Sequence, residues 1–164
     1  MSSESWQNAI RTVLHRLRQP PKIALVGIGS ELHGDDAAGI WIVRALQASS
    51  DLLLIEAGMT PENHTSALRR FQPDLVLMID AAQMKLRPGD ISVLDLASLD
   101  GLSASTHSFP LALTTQYIVA ELGCAVLLLG IQPACTDFGA PLSQSVSRAV
   151  EEISRELRAL YDER

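Results

Sequence analysis

The sequence predicts an α/β domain, a three-layer sandwich in which helices cover both faces of a mostly parallel, five-stranded twisted sheet, with an extra helix at the N-terminus. Short apolar runs of strand length alternate along the chain with segments whose apolar residues recur at helical spacing. Hydrophobic residues make up 47% of the 164 residues and aromatic residues only 4%. The expected core is therefore aliphatic, as is typical of α/β proteins, and the length fits a single domain.

The chain begins with apolar residues at helical spacing, which predict a short amphipathic helix over residues 4–18. Pro20 and Pro21 follow, and they end the helix because proline cannot continue it. We therefore expect residues 1–20 to be a helical extension and residues 21–164 to form one α/β domain.

The rest of the chain predicts the order β-α-β-α-β-β-α-β-α. Apolar runs predict strands over residues 22–28, 52–55, 75–79, 91–94 and 125–129, and helices are expected over residues 36–48, 60–71, 110–122 and a C-terminal segment. Thr60 and Pro61 are expected to be the N-cap and first residue of the second of these helices. The short run 91–94 follows a turn and is expected to lie antiparallel at an edge of the sheet.

The segment 27–39, here called the acidic loop, joins the first predicted strand to the helix that follows it. Ligands of open α/β sheets bind in such loops, at the carboxyl ends of strands. The loop does not fit a phosphate site, because Leu32 replaces a glycine of the dinucleotide fingerprint and because Asp35 and Asp36 stand where a Walker loop needs Lys and Ser or Thr. One of these two aspartates is expected to N-cap the helix, which leaves the other available for chemistry.

Two further polar residues lie at comparable positions. Asp80 ends an apolar strand, where a carboxylate is costly unless it is paired or binds a cation. His107 precedes a predicted helix, whose dipole favours the neutral imidazole that can act as a ligand. Four other polar residues near strand ends are expected to be surface or capping residues: Glu31, His33, Glu56 and His64.

Composition argues against several classes of protein. The formal net charge is −6 and there is no basic patch, so nucleic acid is not an expected partner. No apolar run reaches 18 residues, so no membrane span is expected, and the charged N-terminus does not resemble a signal peptide. Cys124 and Cys135 do not form a disulfide framework, which favours a reducing, cytoplasmic location.

The parallel sheet is expected to bring Asp36, Asp80 and His107 together at one edge. Two carboxylates and a neutral imidazole carry a charge of −2, which balances one divalent cation, and three ligands leave coordination positions open for water and a carbonyl oxygen. Imidazole combined with carboxylate suits nickel or zinc.

The motifs and their order resemble the nickel–iron hydrogenase maturation endopeptidases over nearly all of residues 22–160. The resemblance rests on Val26-Gly27-Ile28-Gly29, the residues 34–39, Ile79-Asp80-Ala81 and the residues 106–111. Pro61-Glu62-Asn63 and the residues 129–133 are similar to the branch that processes the hydrogenase 3 large subunit of formate hydrogenlyase.

The resemblance implies a peptidase that removes the C-terminal extension of a hydrogenase large-subunit precursor. The metal-contacting residues of the family correspond here to Asp36, Asp80 and His107, which would also be catalytic. The nickel would be supplied by the precursor rather than held permanently. We further expect a monomer.

Three other functions share some of these features. A nickel-binding or metal-delivery protein without hydrolytic activity would use the same three ligands. A metalloamidase could carry its own zinc. A nucleotide-binding α/β domain would have a similar fold, although the acidic loop argues against it.

Overall fold

The computed structural model describes residues 5–94 and 108–162. Within these ranges five strands form one sheet: β1 (Ile23–Ile28), β2 (Leu52–Gly58), β3 (Leu75–Ala81), β4 (Ile91–Leu94) and β5 (Ala125–Ile131). Their spatial order is β2-β1-β3-β5-β4. Strands β1, β2, β3 and β5 run parallel, and β4 pairs antiparallel with β5 at the edge. The mostly parallel, five-stranded sheet and its antiparallel edge strand are confirmed.

The described residues form five helices beside the sheet: α1 (Trp6–Leu14), α2 (Ala38–Arg44), α3 (Thr65–Phe71), α4 (Ser108–Leu122) and α5 (Gln144–Asp162). Short 3-10 turns, Gly34–Ala37 and Pro61–His64, lead into α2 and α3. All five predicted helices are present, although α1 and α2 end earlier than the expected residues 18 and 48.

Alternate residues of the strands enter two separate hydrophobic clusters, which lie on opposite faces of the sheet. In β1, Ile23 and Leu25 belong to one cluster, while Ala24 and Val26 belong to the other. The first cluster contains residues of α1, α2 and α5, and the second contains residues of α3 and α4. The predicted three-layer arrangement is therefore confirmed.

Helix α1 packs against the domain. Ser5 caps it, because its Oγ accepts a hydrogen bond from the backbone N–H of Asn8 at 3.3 Å. Trp6 and Ile10 are buried, and the Trp6 indole N–H donates to Glu152 Oε1 at 3.3 Å. Whether residues 1–20 form a unit distinct from residues 21–164 stays a prediction.

The N-cap predicted at Thr60 is wrong. The chain enters α3 through the 3-10 turn that Pro61 opens, and the Thr60 side chain makes no capping hydrogen bond. Proline at the first position of the turn is confirmed. A fixed φ suits Pro61 to this position, while the Thr60 backbone does not have the extended conformation of a capping residue.

Helix α2 lies unusually close to the sheet because Gly27 of β1 and Gly39 of α2 face one another. A Cβ at Gly39 would overlap the carbonyl oxygen of Ile79 in β3 and come within 2.9 Å of the Ile28 carbonyl oxygen. A Cβ at Gly27 would overlap the Gly39 carbonyl oxygen. These contacts are with backbone atoms, so a side chain at either position would force the helix off the sheet.

None of the helices in the described ranges combines the length and the apolar character that crossing a membrane requires.

We predict that Gly39→Ala lowers the free energy of unfolding by about 3 kcal/mol, the upper end of the usual range for overpacking, because the added methyl group overlaps backbone atoms. Urea denaturation measures the loss. Gly123→Ala is the control: its φ of +62° is strained for alanine, but nothing lies within 4 Å of the added carbon. The control substitution should lower the free energy of unfolding by only about 1 kcal/mol. A Gly39→Ala protein as stable as the control would contradict the close approach of α2.

Candidate active site

The acidic loop folds back on itself after β1. The backbone N–H of Ser30 donates to Asp36 Oδ2 at 2.9 Å, and the N–H of Asp36 donates to the His33 carbonyl oxygen at 3.1 Å. Gly29 has a φ of +134°, and a Cβ there would overlap the Asp36 carbonyl oxygen. Only glycine fits this turn, which leaves the Asp36 carboxylate half-buried at the carboxyl end of β1.

Asp80 lies at the carboxyl end of β3, between β1 and β5, and is 6% exposed. Burial raises the pKa of its carboxyl group well above the ordinary value, and the negative charge of Asp36 raises it further. A hydrogen bond from the Ala81 backbone N–H lowers the pKa but does not outweigh these effects. The two carboxylates are therefore close enough to repel one another.

The structure thus brings together two of the three residues predicted to form the site, Asp36 and Asp80. His107 lies outside the described residues. Within residues 5–94 and 108–162, no three His, Cys, Asp or Glu side chains gather as a group that could hold a metal ion. The described part of the site is a pair of acidic side chains, which favours a cation by charge alone.

The prediction that Asp35 or Asp36 caps the helix is wrong. Neither the turn Gly34–Ala37 nor α2 has a side-chain cap. The Asp35 carboxylate instead accepts backbone N–H bonds from Ala134 (2.8 Å), Cys135 (3.0 Å) and Ser143 (2.7 Å), and a bond from the Ser143 hydroxyl (2.9 Å). These four donors lie about a hundred positions away in sequence, and they use the acceptor capacity that a helix cap would need.

The pKa of Asp35 moves in the opposite direction from that of Asp80, although both are buried. Burial by itself raises it, but the backbone donors of Cys135, Ser143 and Ala134 together with the Ser143 hydroxyl lower it below 3.8. Asp35 is therefore ionised and fully satisfied. Its four hydrogen bonds give it a structural role, whereas Asp36 and Asp80 are the two described residues of the predicted site.

Asp35 joins the acidic loop to residues 134–143, here called the β5 loop. The Asp35 N–H donates to the Cys135 carbonyl oxygen at 2.9 Å, and the Gly139 N–H donates to the Leu32 carbonyl oxygen at 2.8 Å. The rings of His33 and Phe138 meet edge to face with centroids 5.6 Å apart. The two loops therefore form one continuous rim beside Asp36.

Gln132 is a second structural residue that the sequence did not single out. It is 5% exposed, and its Oε1 accepts the backbone N–H of Met84 at 2.7 Å while its Nε2 donates to Gln83 Oε1 at 2.9 Å. It thereby holds the loop that follows Asp80 against the end of β5. No local pattern signals this role, because the partners are far apart in sequence.

The polar residues expected to be surface groups are confirmed as exposed or half-buried. Glu31 and Glu56 both pair with Arg44, which binds Glu56 through two hydrogen bonds of 3.0 and 2.9 Å. These bonds lower the pKa of Glu56. His64 is half-buried in the turn before α3.

An apolar cavity of about 330 Å³ lies at the other end of the sheet. Ile23, Leu52 and Leu75, the first residues of β1, β2 and β3, are among its lining residues. It is therefore remote from the acidic pair at the carboxyl ends.

Known proteins that resemble this chain identify its family. The sequence model of the HycI hydrogenase maturation proteases matches residues 40–159. The hydrogenase 3 maturation protease of Escherichia coli is 32% identical over 136 residues, which cover 81% of this chain and 86% of the relative. The chain belongs to the hydrogenase maturation protease family. As a member of this family it is a peptide hydrolase, and the predicted likeness to the hydrogenase 3 branch is confirmed.

Solved structures of the family have the same fold. The crystal structure of a [NiFe] hydrogenase maturation protease HycI from Thermococcus kodakarensis superposes with a TM-score of 0.81 at 27% identity, covering 91% of this chain and 96% of that one. The solution structure of the endopeptidase HycI from Escherichia coli gives 0.73 at 30% identity, with coverage of 82% and 87%. The family assignment favours the protease over a metal-delivery or nucleotide-binding protein.

We predict that Asp35→Asn lowers the free energy of unfolding at pH 7 by roughly 2–4 kcal/mol, because an amide cannot accept all four hydrogen bonds. The carboxylate of the native protein stabilises the fold above pH 3.8 and loses this effect as the pH falls through its lowered pKa. The difference between the proteins should therefore shrink in acid. Urea denaturation at several pH values tests this, with the exposed Asp137→Asn of the same loop as control. A difference that does not change with pH would contradict the assignment.

We predict the opposite result for Asp80→Asn in metal-free buffer. Because the pKa of Asp80 is raised by folding, the Asp80 carboxyl group of the unfolded chain loses its proton at a lower pH than that of the folded protein. Ionisation above pH 3.8 therefore favours the unfolded state and lowers the stability at neutral pH. Asparagine removes this cost, so the melting temperature at pH 7 should rise, and the gain should disappear below pH 3.8. The exposed Asp162→Asn should have no effect. A lower melting temperature for Asp80→Asn would contradict this prediction and show that surrounding groups stabilise the ionised Asp80 carboxylate.

Proposed function

We propose that this chain is the endopeptidase that removes the C-terminal extension from a nickel-loaded precursor of a nickel–iron hydrogenase large subunit. The observation that carries the proposal is the pair of neighbouring carboxyl groups, Asp36 and Asp80, at the carboxyl edge of the sheet. The pair occurs in a chain of the hydrogenase maturation protease family. The nickel arrives as part of the substrate.

The acidic pair is suited to meet an incoming metal ion. Two carboxylates that repel one another gain stability when a divalent cation lies between them, and carboxylate oxygens with a neutral imidazole suit nickel. We propose Asp36 and Asp80 as two of the ligands. We propose His107 as the third from its position before a predicted helix and from the resemblance to the family.

The proposed reaction is metal-assisted hydrolysis of one peptide bond. Asp36, Asp80 and His107 would bind the nickel of the precursor, and this binding would position the scissile carbonyl group and a water molecule beside one another. Asp35 would contribute only by fixing the loop that carries Asp36. We further propose a monomer that works in the cytoplasm.

The test is to incubate the purified chain with the unprocessed large subunit, loaded with nickel or free of it, and to follow the mass of the C-terminus. We expect a loss of mass only with nickel. Asp36→Asn should lower the rate by at least about 100-fold, since even residues that merely support metal ligands cost 10–100-fold. Asp162→Asn should cleave normally.

Other outcomes separate the alternatives. Stable nickel binding without precursor, and no change of mass, would indicate a metal-delivery protein. Zinc in the purified protein, with cleavage of nickel-free precursor, would indicate a self-contained metalloamidase. Cleavage by Asp36→Asn at the normal rate would overturn the assignment of the site.

A further inference from the structure

The loops at the active end of the sheet expose large apolar side chains. Each of the four parallel strands is followed by a loop that carries one of them. These residues are Leu32 after β1 (61% exposed), Met59 after β2 (47%), Leu86 after β3 (45%) and Phe138 after β5 (75%). These loops lie at the carboxyl ends of the strands, where open α/β sheets bind their ligands.

Two of these residues share the rim beside Asp36. Phe138 is oriented by its edge-to-face contact with His33, and Leu32 is tied to Gly139 by a backbone hydrogen bond of 2.8 Å. Their loops are held together by the four hydrogen bonds to Asp35. The two side chains are therefore exposed on a fixed support, so that binding to them requires little ordering of the loops.

We infer that Leu32 and Phe138 form a docking surface for an apolar side chain of the precursor, in the segment next to the bond that is cut. This inference rests on the proposed function. Asp36 lies in the turn Gly34–Ala37, and His33, which directly precedes this turn and follows Leu32, contacts Phe138. A polypeptide whose scissile bond reaches Asp36 therefore comes close to this rim. The docking surface consists of Leu32 and Phe138.

This surface determines how tightly the precursor is bound rather than how the bond is broken. Neither side chain has an atom that can exchange a proton or bind a metal. Truncating an exposed aromatic residue that becomes buried on binding removes apolar contact from the bound state alone. The effect should therefore fall mainly on KM.

The experiment measures cleavage kinetics of the nickel-loaded precursor. Phe138→Ala should raise KM about tenfold, and Leu32→Ala should raise it somewhat less, with smaller changes in kcat. Phe138→Leu, which keeps an apolar side chain, should recover part of the loss. Val119→Ala is the control, because Val119 is also exposed (47%) but lies on α4 away from the rim. Phe138 and Leu32 variants with the KM of the control would overturn the docking surface.

A direct binding measurement separates this inference from the proposed function. If the native protein fails to cleave the precursor, the proposed function fails, and the affinity of the chain for the precursor is then measured by interferometry. Weaker binding by Phe138→Ala, but not by Val119→Ala, would still support the docking surface. Equal binding by all variants would overturn it. The high exposure of Phe138 means that its substitution leaves the fold intact, and a melting curve checks this.

Discussion

The close approach of α2 to the sheet is the constraint on which the site depends. Because Gly27 and Gly39 have no side chains, the first turn of α2 rests on the backbone of β1 and β3. Asp36 lies two residues before α2, and Asp80 follows Ile79 directly near the end of β3, so the same contact that packs the helix brings the two carboxylates together. A few added carbon atoms between helix and sheet would separate them. One contact thus determines both how α2 packs on the sheet and where the two carboxylates lie.

The buried carboxylates of Asp35 and Asp80 have opposite surroundings. Asp35 is given four hydrogen-bond donors, so its negative charge is stabilised and serves to hold two loops together. Asp80 is given a neighbouring negative charge and one backbone donor, so its negative charge is disfavoured. Burial is common to both, and the difference lies in the groups that surround each carboxyl. A metal ion would add little stability to a carboxylate whose charge is already stabilised by hydrogen bonds. It would add much more to a pair of carboxylates that repel one another.

Much of the fold could be predicted because its signals are local. The apolar runs gave the five strands, and helical spacing gave the five helices, with errors mainly at their ends. The carboxyl-edge position of Asp36 and Asp80 could be predicted because each follows an apolar run of a mostly parallel sheet. The role of Asp35 could not be predicted, since its donors lie near residues 134–143 and no periodicity connects them to the acidic loop. The expected helix cap was wrong for the same reason. The positions of Asp36 and His107, at a strand end or before a helix, place them in the predicted site, and the family resemblance selects the same two residues.

The two proposals together offer a physical account of selectivity for a loaded precursor. The acidic pair binds a cation most favourably, and the docking surface binds an apolar side chain most favourably. Each contact is weak by itself, since two carboxylates leave most coordination positions of a metal ion unfilled and the surface of Leu32 and Phe138 is small. When nickel and the apolar segment belong to one molecule, binding at one place raises the effective concentration at the other. Free nickel and empty precursor each provide only one contact. A site that is left uncompensated in the free protein can therefore discriminate better than a tight, permanent metal site, which would bind the ion whether or not a substrate is attached.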